Sequence, residues 1–298
     1  MAITSNDVKL LFYAHKCGIS FEKTLTLGRL KLYVPVDSIQ QLANRSGFNH
    51  RSIKDIPFPD AYSEPLFEFL GSKLSDSIDV SDYEKATLIH DMNQPVPSLW
   101  ENKYSVVIDS GTLEHIFNFP QAIMNCMKMI RAGGHFIGIT PVNNLMGHGF
   151  YQFSPELYFR VFNEENGFRI KKLMIASAHE DGSYSDWYEV ADPKMVKSRV
   201  ILVNQLPTYL MIFAEKISSE TIFKTFPQQS DYTEKWNKAG DQKQQKVSWK
   251  KKIYQALIPA KLRDVIYILN KSSRTKNLNT LDLGALNKDH FKKVDDID

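Results

Sequence analysis

The stretch 104–155, YSVVIDSGTLEHIFNFPQAIMNCMKMIRAGGHFIGITPVNNLMGHGFYQFSP, constrains the fold more than any other part of the chain. Val106, Val107 and Ile108 form an unbroken apolar run that ends at Asp109-Ser110-Gly111. A run without polar alternation fits a parallel strand covered on both faces. Pro120 suits the first turn of a helix, where a missing N–H does no harm. Ile123, Met124, Met127 and Ile130 then recur at helical spacing. Gly133-Gly134 ends that helix, because glycine tolerates the left-handed conformation needed past a C-terminus. Residues 135–140 read as a second buried strand. Strand, helix and strand make a βαβ unit with a right-handed crossover. Functional groups in such folds gather beyond the carboxyl ends of the strands. Here those ends carry Asp109-Ser110-Gly111 and Thr140-Pro141-Val142-Asn143-Asn144.

The remaining segments add elements of the same α/β kind. Ser5-Asn6-Asp7 can cap a helix over 5–17, with Val8, Leu11, Phe12 and, at its edge, His15 on one face. Such a helix covers the cleft as a lid or packs on the sheet, and packing is the simpler expectation. Residues 24–29 read as a first strand and its turn, with Gly28 at the end. About fifty positions separate Gly28 from the next strand, against ~20 in dinucleotide-binding folds. Residues 35–60 therefore look inserted, as an edge elaboration more than a substrate flap. A helix over 62–71 leads to a second strand ending at Asp79. A third strand, 86–91, ends in Asp91-Met92-Asn93; His90 alternates to the opposite face and reads as structural. Ser154-Pro155 opens a further helix. Residues 168–176 and 209–216 read as two further strands. In the long connection between them, Val200 to Val203 either adds a strand or covers the site.

The 298 residues, 43% hydrophobic and 24% charged, belong to a globular chain with one main domain and an appendage. Cys17 and Cys126 lie far apart in apolar patterns and are expected to be buried free thiols. No run approaches the ~20 apolar residues of a membrane span, and a cytoplasmic location is expected. The formal charge of +3 hides an asymmetry. Between Lys243 and Lys276 stand ten basic residues and one acid, Asp264, a net of +9 that leaves 3 − 9 = −6 elsewhere. Residues 219–246 read as a polar linker, and 247–298 as a basic amphipathic helical tail, partly disordered. Within 247–270, Ile253, Leu257, Leu262, Ile266 and Leu269 recur at helical spacing opposite Lys250, Lys251, Lys252, Lys261 and Arg263. That pattern fits a helix pair on the inner membrane surface or a docking arm. Nucleic acid is not expected as a partner, because aromatic platforms and glycine-rich basic repeats are missing.

The text VVIDSGTLEHI, followed by IRAGGHFIGITP, resembles the second half of a class I S-adenosylmethionine-dependent methyltransferase. The resemblance implies a Rossmann-like, seven-stranded methyltransferase sheet with flanking helices, its core over about 20–217 within a domain of 1–218. It implies S-adenosyl-L-methionine as cofactor. Gly28 would then mark the close approach of backbone to cofactor, where a side chain would block the way. Asp79 would accept both ribose hydroxyls, a task suited to an acceptor-only group. Asp91 would meet the adenine amino group, with Met92 on the ring, and Asp109 and Ser110 would lie beside the methyl donor. Arg29-Leu30-Lys31 departs from the pattern, standing where the family has further glycines. His115 is the candidate catalytic base, with Glu114 orienting it or capping the short turn. Asn144, His148, Tyr151 and Gln152 are candidate contacts to the acceptor. No ligand pair shows a regular metal-binding spacing, and no metal is expected. The implied reaction is methyl transfer to a small molecule, a sugar or lipid-linked intermediate. The alternative is a catalytically silent methyltransferase-like module that binds or scaffolds.

Overall fold

The computed structural model describes residues 2–49, 52–179, 183–241 and 287–295. In chain order the strands are β1 (Ala2–Ile3), β2 (Lys23–Leu27), β3 (Lys31–Leu32), β4 (Leu74–Asp79), β5 (Leu88–Ile89), β6 (Tyr104–Ser110), β7 (Ile130–Asn143), β8 (Phe168–Ser177), β9 (Tyr188–Val190), β10 (Thr208–Lys216) and β11 (Phe291–Lys293). The helices are α1 (Ser5–Lys16), α2 (Val36–Arg45), α3 (Glu64–Phe69), α4 (Phe119–Met129), α5 (Pro155–Val161), α6 (Pro193–Val196) and α7 (Ser230–Asp241).

The main sheet runs β11-β9-β8-β10-β7-β6-β2-β4-β5. The seven contiguous strands from β8 to β5 form a mostly parallel Rossmann-like sheet of the kind expected, with β10 antiparallel to both β7 and β8. β9 and β11 extend it at one edge beyond the seven strands expected. The apolar alternation explains why both faces are covered. Val106, Ile108, Ile137, Met211 and Phe213 join the core under α1 and α2, whereas Val107, Phe136, Leu210 and Ile212 join the core under α4 and α5. Strand β6 is buried at all seven positions, as a parallel strand between two helical layers must be.

Helix α1 packs in the first of these cores through Val8, Leu10, Leu11, Phe12 and Ala14, while His15 is exposed. It is a wall of the fold, as the simpler expectation had it. Thr4, one residue before the expected cap, closes its first turn: the Asp7 carboxylate accepts from Thr4 N at 2.6 Å and Thr4 Oγ1 at 2.7 Å. The inserted segment also packs inward, through Ile39, Ala43, Phe48, Ile53 and Ile56. At the far end of the sheet Lys216 is buried, and its Nζ donates to Asn102 Oδ1, Met127 O and Ile130 O at 2.7–3.1 Å. A cation there satisfies carbonyls that the end of α4 leaves open and complements its dipole.

Several expectations change. Val200 and Leu202 form no strand but pack against the second core; the added strand is β9, beside the buried Trp187. Cys126 is buried as expected, but Cys17 is exposed at the end of α1. Within the expected linker 219–246, Ile222 and Phe223 pack on the core and Ser230–Asp241 forms a helix. Its first turn is fixed by Glu156, which accepts from Ser230 N at 2.7 Å. The tail is not helical throughout, since β11 pairs antiparallel with β9, Phe291 opposite Val190. The amphipathic stretch 247–270 lies outside the described residues. No helix among the described residues is long and apolar enough to cross a membrane.

Two outcomes follow for stability. A Cβ on Gly134 would lie 2.9 Å from Arg131 O and from Ser105 O, whereas one on Gly133 meets nothing within 4 Å. Gly133 does carry a φ of +74°. Gly134→Ala should therefore lower the unfolding free energy by about 1–3 kcal/mol through overpacking against backbone, and Gly133→Ala by about 1–2 kcal/mol through φ strain alone. Urea melts of the two variants check the ranking. The second outcome concerns pH. Burial pushes the Asp7 carboxyl up to about 6, against the pull of its bonds to Thr4. The folded chain then holds this proton more tightly than the unfolded chain, so the group's contribution is full below about pH 4 and is lost as pH rises through 6. Asp7→Asn, which keeps an acceptor oxygen without the charge, should gain on the native chain by up to about 3 kcal/mol between pH 4 and 7. A difference that does not vary with pH contradicts this.

Candidate functional site

The strand order reverses direction between β2 and β6, the place where open α/β sheets bind ligands beyond their carboxyl ends. A cleft of about 320 Å³ lies at the ends of β2, β4 and β5, against the turn that follows β6. It is lined by Leu27, Gly28, Ile78, Asp79, His90, Asp91, Met92 and Thr112, among others. Hollows of about 560 and 690 Å³ occur near α5 to α7, but no residue of β2, β4 or β6 lines them.

Each lining residue is set by its strand. Gly28 follows the last residue of β2 with φ +74°, and its N–H donates to Ile78 O at 2.7 Å. Thr26 Oγ1 donates to Gly28 O, and Thr112 Oγ1 to Leu27 O, both at 2.8 Å. The turn is thus held from both neighbouring strands. Asp79 ends β4 half-buried, accepting from Ser81 N at 3.2 Å. Asp91 accepts from Asn93 N at 2.9 Å and Asn93 Nδ2 at 2.7 Å, and these bonds hold its carboxyl below the usual range. Asn93 in turn accepts from Asn118 N at 2.8 Å, which ties this loop to the start of α4. Met92 is buried beside them.

Arg29 does not enter the cleft. Its guanidinium contacts Glu64 at 2.6 Å and Asp60 at 2.9 Å and lies 3.8 Å over the Tyr62 ring. The side chain that departs from the expected glycine pattern is therefore drawn onto the end of the inserted segment and the start of α3. Four of the six cofactor candidates, Gly28, Asp79, Asp91 and Met92, line one cleft. Asp109 and Ser110 are buried behind it and do not line it. Asp109 Oδ1 accepts from Thr112 N at 2.9 Å and Leu113 N at 3.2 Å, so it builds the turn. His90 corrects the sequence reading. It lines the cleft, its ring 5.5 Å from Trp100 and Nε2 3.2 Å from Gln94 O. Alternation along a two-residue strand followed by a turn does not fix which way the next side chain faces.

At the mouth stands a second group. Leu113–His115 is a single tight turn in which Glu114 is buried and His115 exposed. His148 Nε2 lies 3.3 Å from Glu114 Oε1, and the His115 and His148 rings are 5.0 Å apart. Phe150 N donates to Glu114 O at 2.7 Å. A Cβ on Gly149 would sit 2.8 Å from that carbonyl; Gly149 is the residue that lets the loop close down. Burial pushes the Glu114 carboxyl up to about 7. Burial, then the nearby Glu114, raises the Asp109 carboxyl well above the ordinary range. Desolvation, then His148, lowers the His115 imidazole. Glu114 was expected to orient His115 or to cap the short turn; in the structure its carboxylate meets His148.

Of the acceptor candidates, only His148 joins this group. Asn144, at φ +59°, donates to Asn204 O, Asn204 Oδ1 and Leu206 O at 2.9 Å. Gln152 Oε1 accepts from Leu145 N at 3.0 Å, and Tyr151 Oη donates to Phe117 O at 2.6 Å. These three hold the loop in shape. Sequence reasoning missed Thr112, Asn93 and the exposed aromatic pair Phe117 and Phe150, whose rings are 6.0 Å apart.

No family model matches the chain, and no curated protein does. Among solved structures it is similar to an S-adenosylmethionine-dependent methyltransferase from Archaeoglobus fulgidus, at 12% identity and TM-score 0.38, covering 70% of this chain and 94% of that one. It is also similar to TehB from Haemophilus influenzae, at 11% identity and TM-score 0.36, over 71% and 62% of the two chains. A third is the branched-chain polyamine synthase from Thermus thermophilus in complex with N4-aminopropylspermidine and 5′-methylthioadenosine, at 12% identity and TM-score 0.35, over 77% and 64%. At these values the strand order of the chain itself, not the likenesses, defines its fold.

The Arg29 contacts generate a local prediction. Arg29→Ala should raise hydrogen exchange across 57–64 while leaving the amides of β6 protected, because it frees Asp60 and Glu64 without touching the core. Unchanged exchange at 57–64 would mean that the ion pairs do not hold this segment.

Proposed function

We propose that the chain binds S-adenosyl-L-methionine in the cleft at Gly28 and transfers its methyl group to a small-molecule acceptor. The observation that carries this reading is the convergence of Gly28, Asp79, Asp91 and Met92 on one cleft from three neighbouring parallel strands. The residues fit the group. Gly28 offers backbone without a side chain, and Arg29 is drawn aside. Asp79 keeps acceptor capacity for ribose hydroxyls, and Asp91 with Met92 supplies a polar edge and an apolar face for a base. The volume of about 320 Å³ is at the small end for ligand sites.

The bound cofactor would supply an electrophilic methyl group on a sulfonium. The protein's task is then alignment, together with removal of a proton where the acceptor carries one. His115 lines the cleft, and its lowered pKa leaves the imidazole neutral at pH 7 and able to take that proton. Asp109 and Ser110 support the cleft from behind. A sugar or lipid-linked acceptor is favoured by the exposed Phe117 and Phe150 rings, which offer an apolar stacking face next to polar histidines.

A second reading has one observation in its favour. Arg29 occupies the place of the glycine-rich loop, and a chain that has lost cofactor binding could serve as a silent binding module. Calorimetric titration with S-adenosylmethionine separates the two. Binding is expected, with Asp79→Ala weakening it by about 1–3 kcal/mol, the effect of losing a charge-assisted bond. Absence of binding at millimolar cofactor leaves the silent module, and an unchanged affinity in Asp79→Ala shows that another residue holds the ribose.

A further inference from the structure

We propose that Glu114, His115 and His148 form a binding site for a divalent transition-metal ion, zinc by preference, at the mouth of the cleft. One ligating atom from each lies within 4.8 Å of the other two. Zinc bonds of 2.0–2.1 Å in tetrahedral geometry place neighbouring ligand atoms about 3.4 Å apart, and His148 Nε2 stands 3.3 Å from Glu114 Oε1. Both imidazoles are exposed, and side-chain rotation would supply the remaining distance. Two imidazoles and a carboxylate suit zinc and its first-row neighbours better than magnesium or calcium.

The independent observation is Glu114 itself. It is 1% exposed, and its Oε2 has no hydrogen-bond partner among the described residues. A buried carboxylate with one oxygen left without a donor is costly, and a cation bound at the other oxygen, Oε1, which faces His148, would offset its charge. The backbone around it is built to hold it there. Phe150 N and Tyr151 N both donate to Glu114 O, and only glycine at 149 lets His148 approach from the other side. Three protein ligands also leave coordination positions open, as in catalytic rather than structural sites.

The site stands independently of the cofactor reading; its use in catalysis rests on it. Because His115 also lines the cleft, an acceptor oxygen bound to the ion would lie beside the methyl donor. The ion would lower the acceptor's pKa directly, taking over the proton handling assigned above to His115, whose ligating nitrogen would no longer be available.

The test uses the full chain, freed of metal by a chelator and of any affinity tag, with no cofactor present. Cobalt(II) serves as a visible probe and zinc as its competitor. One equivalent of cobalt is expected to give a d–d absorption that zinc abolishes. His115→Ala and His148→Ala should each weaken uptake by more than the roughly 10–100-fold typical of losing a mere supporting contact. Both positions are exposed, and circular dichroism with the melting temperature of each variant checks that it is folded. Glu114→Gln should behave likewise, but it alters a buried group and is read only if its circular dichroism is native. No stoichiometric uptake, or uptake unchanged in the His115→Ala/His148→Ala double variant, overturns the proposal. Either result leaves the cofactor titration unaffected, so the two readings fail separately.

Discussion

Strand β6 lies between β2 and β7 with every side chain withdrawn from water, and the rest of the molecule is arranged to keep it so. From Val106 on, its side chains alternate between two cores, Val106 and Ile108 into one, Val107 into the other. A strand that must be apolar on both faces can only be satisfied by helices on both sides, which is why α1 to α3 and α4 to α5 divide between the faces. The same burial forces the chain to turn sharply at the end of β6, where Asp109 holds the amides of Thr112 and Leu113. That turn delivers Thr112 and His115 to the cleft and pushes Glu114 inward. Fold and site meet in four consecutive residues.

The site pairs strand ends with exposed turns. Gly28 and Asp79 stand at strand ends held by sheet hydrogen bonds, and Asp91 stands in the turn past β5, held by Asn93. His148, Phe150 and Phe117 stand on exposed turns. Rigid strand ends suit recognition of an invariant cofactor, and a loop held by Asn144, Gln152 and Tyr151 suits recognition of an acceptor.

Elements with a clear hydrophobic period were legible in the sequence: β6, α4, β7, α1 and the strand ending at Asp79. The third strand, expected over 86–91, is only Leu88–Ile89, and Gly133-Gly134, expected to end α4, lie inside β7. What escaped had physical causes. His90 was assigned to the wrong face because β5 has only two paired residues and imposes no alternation beyond them. Asp109 looked like a cofactor contact, yet its position in the sequence does not reveal that two amides three and four residues on would claim it. The helix Ser230–Asp241 hid in a polar, lysine- and glutamine-rich stretch because its first turn is fixed by Glu156, a contact 74 residues away in the chain. The Glu114–His148 pair depends on the loop folding back through Gly149, which no local pattern announces.

The central claim is that one ligand engages the ends of β2, β4 and β5 together. Backbone amide NMR of the isotopically labelled chain, titrated with S-adenosylmethionine, tests it most directly. Saturable shifts of Gly28, Asp79, Met92 and Asn93 with a common dissociation constant are predicted. Shifts confined to the hollow near α7, or no saturable shift at any of these four residues, would contradict it.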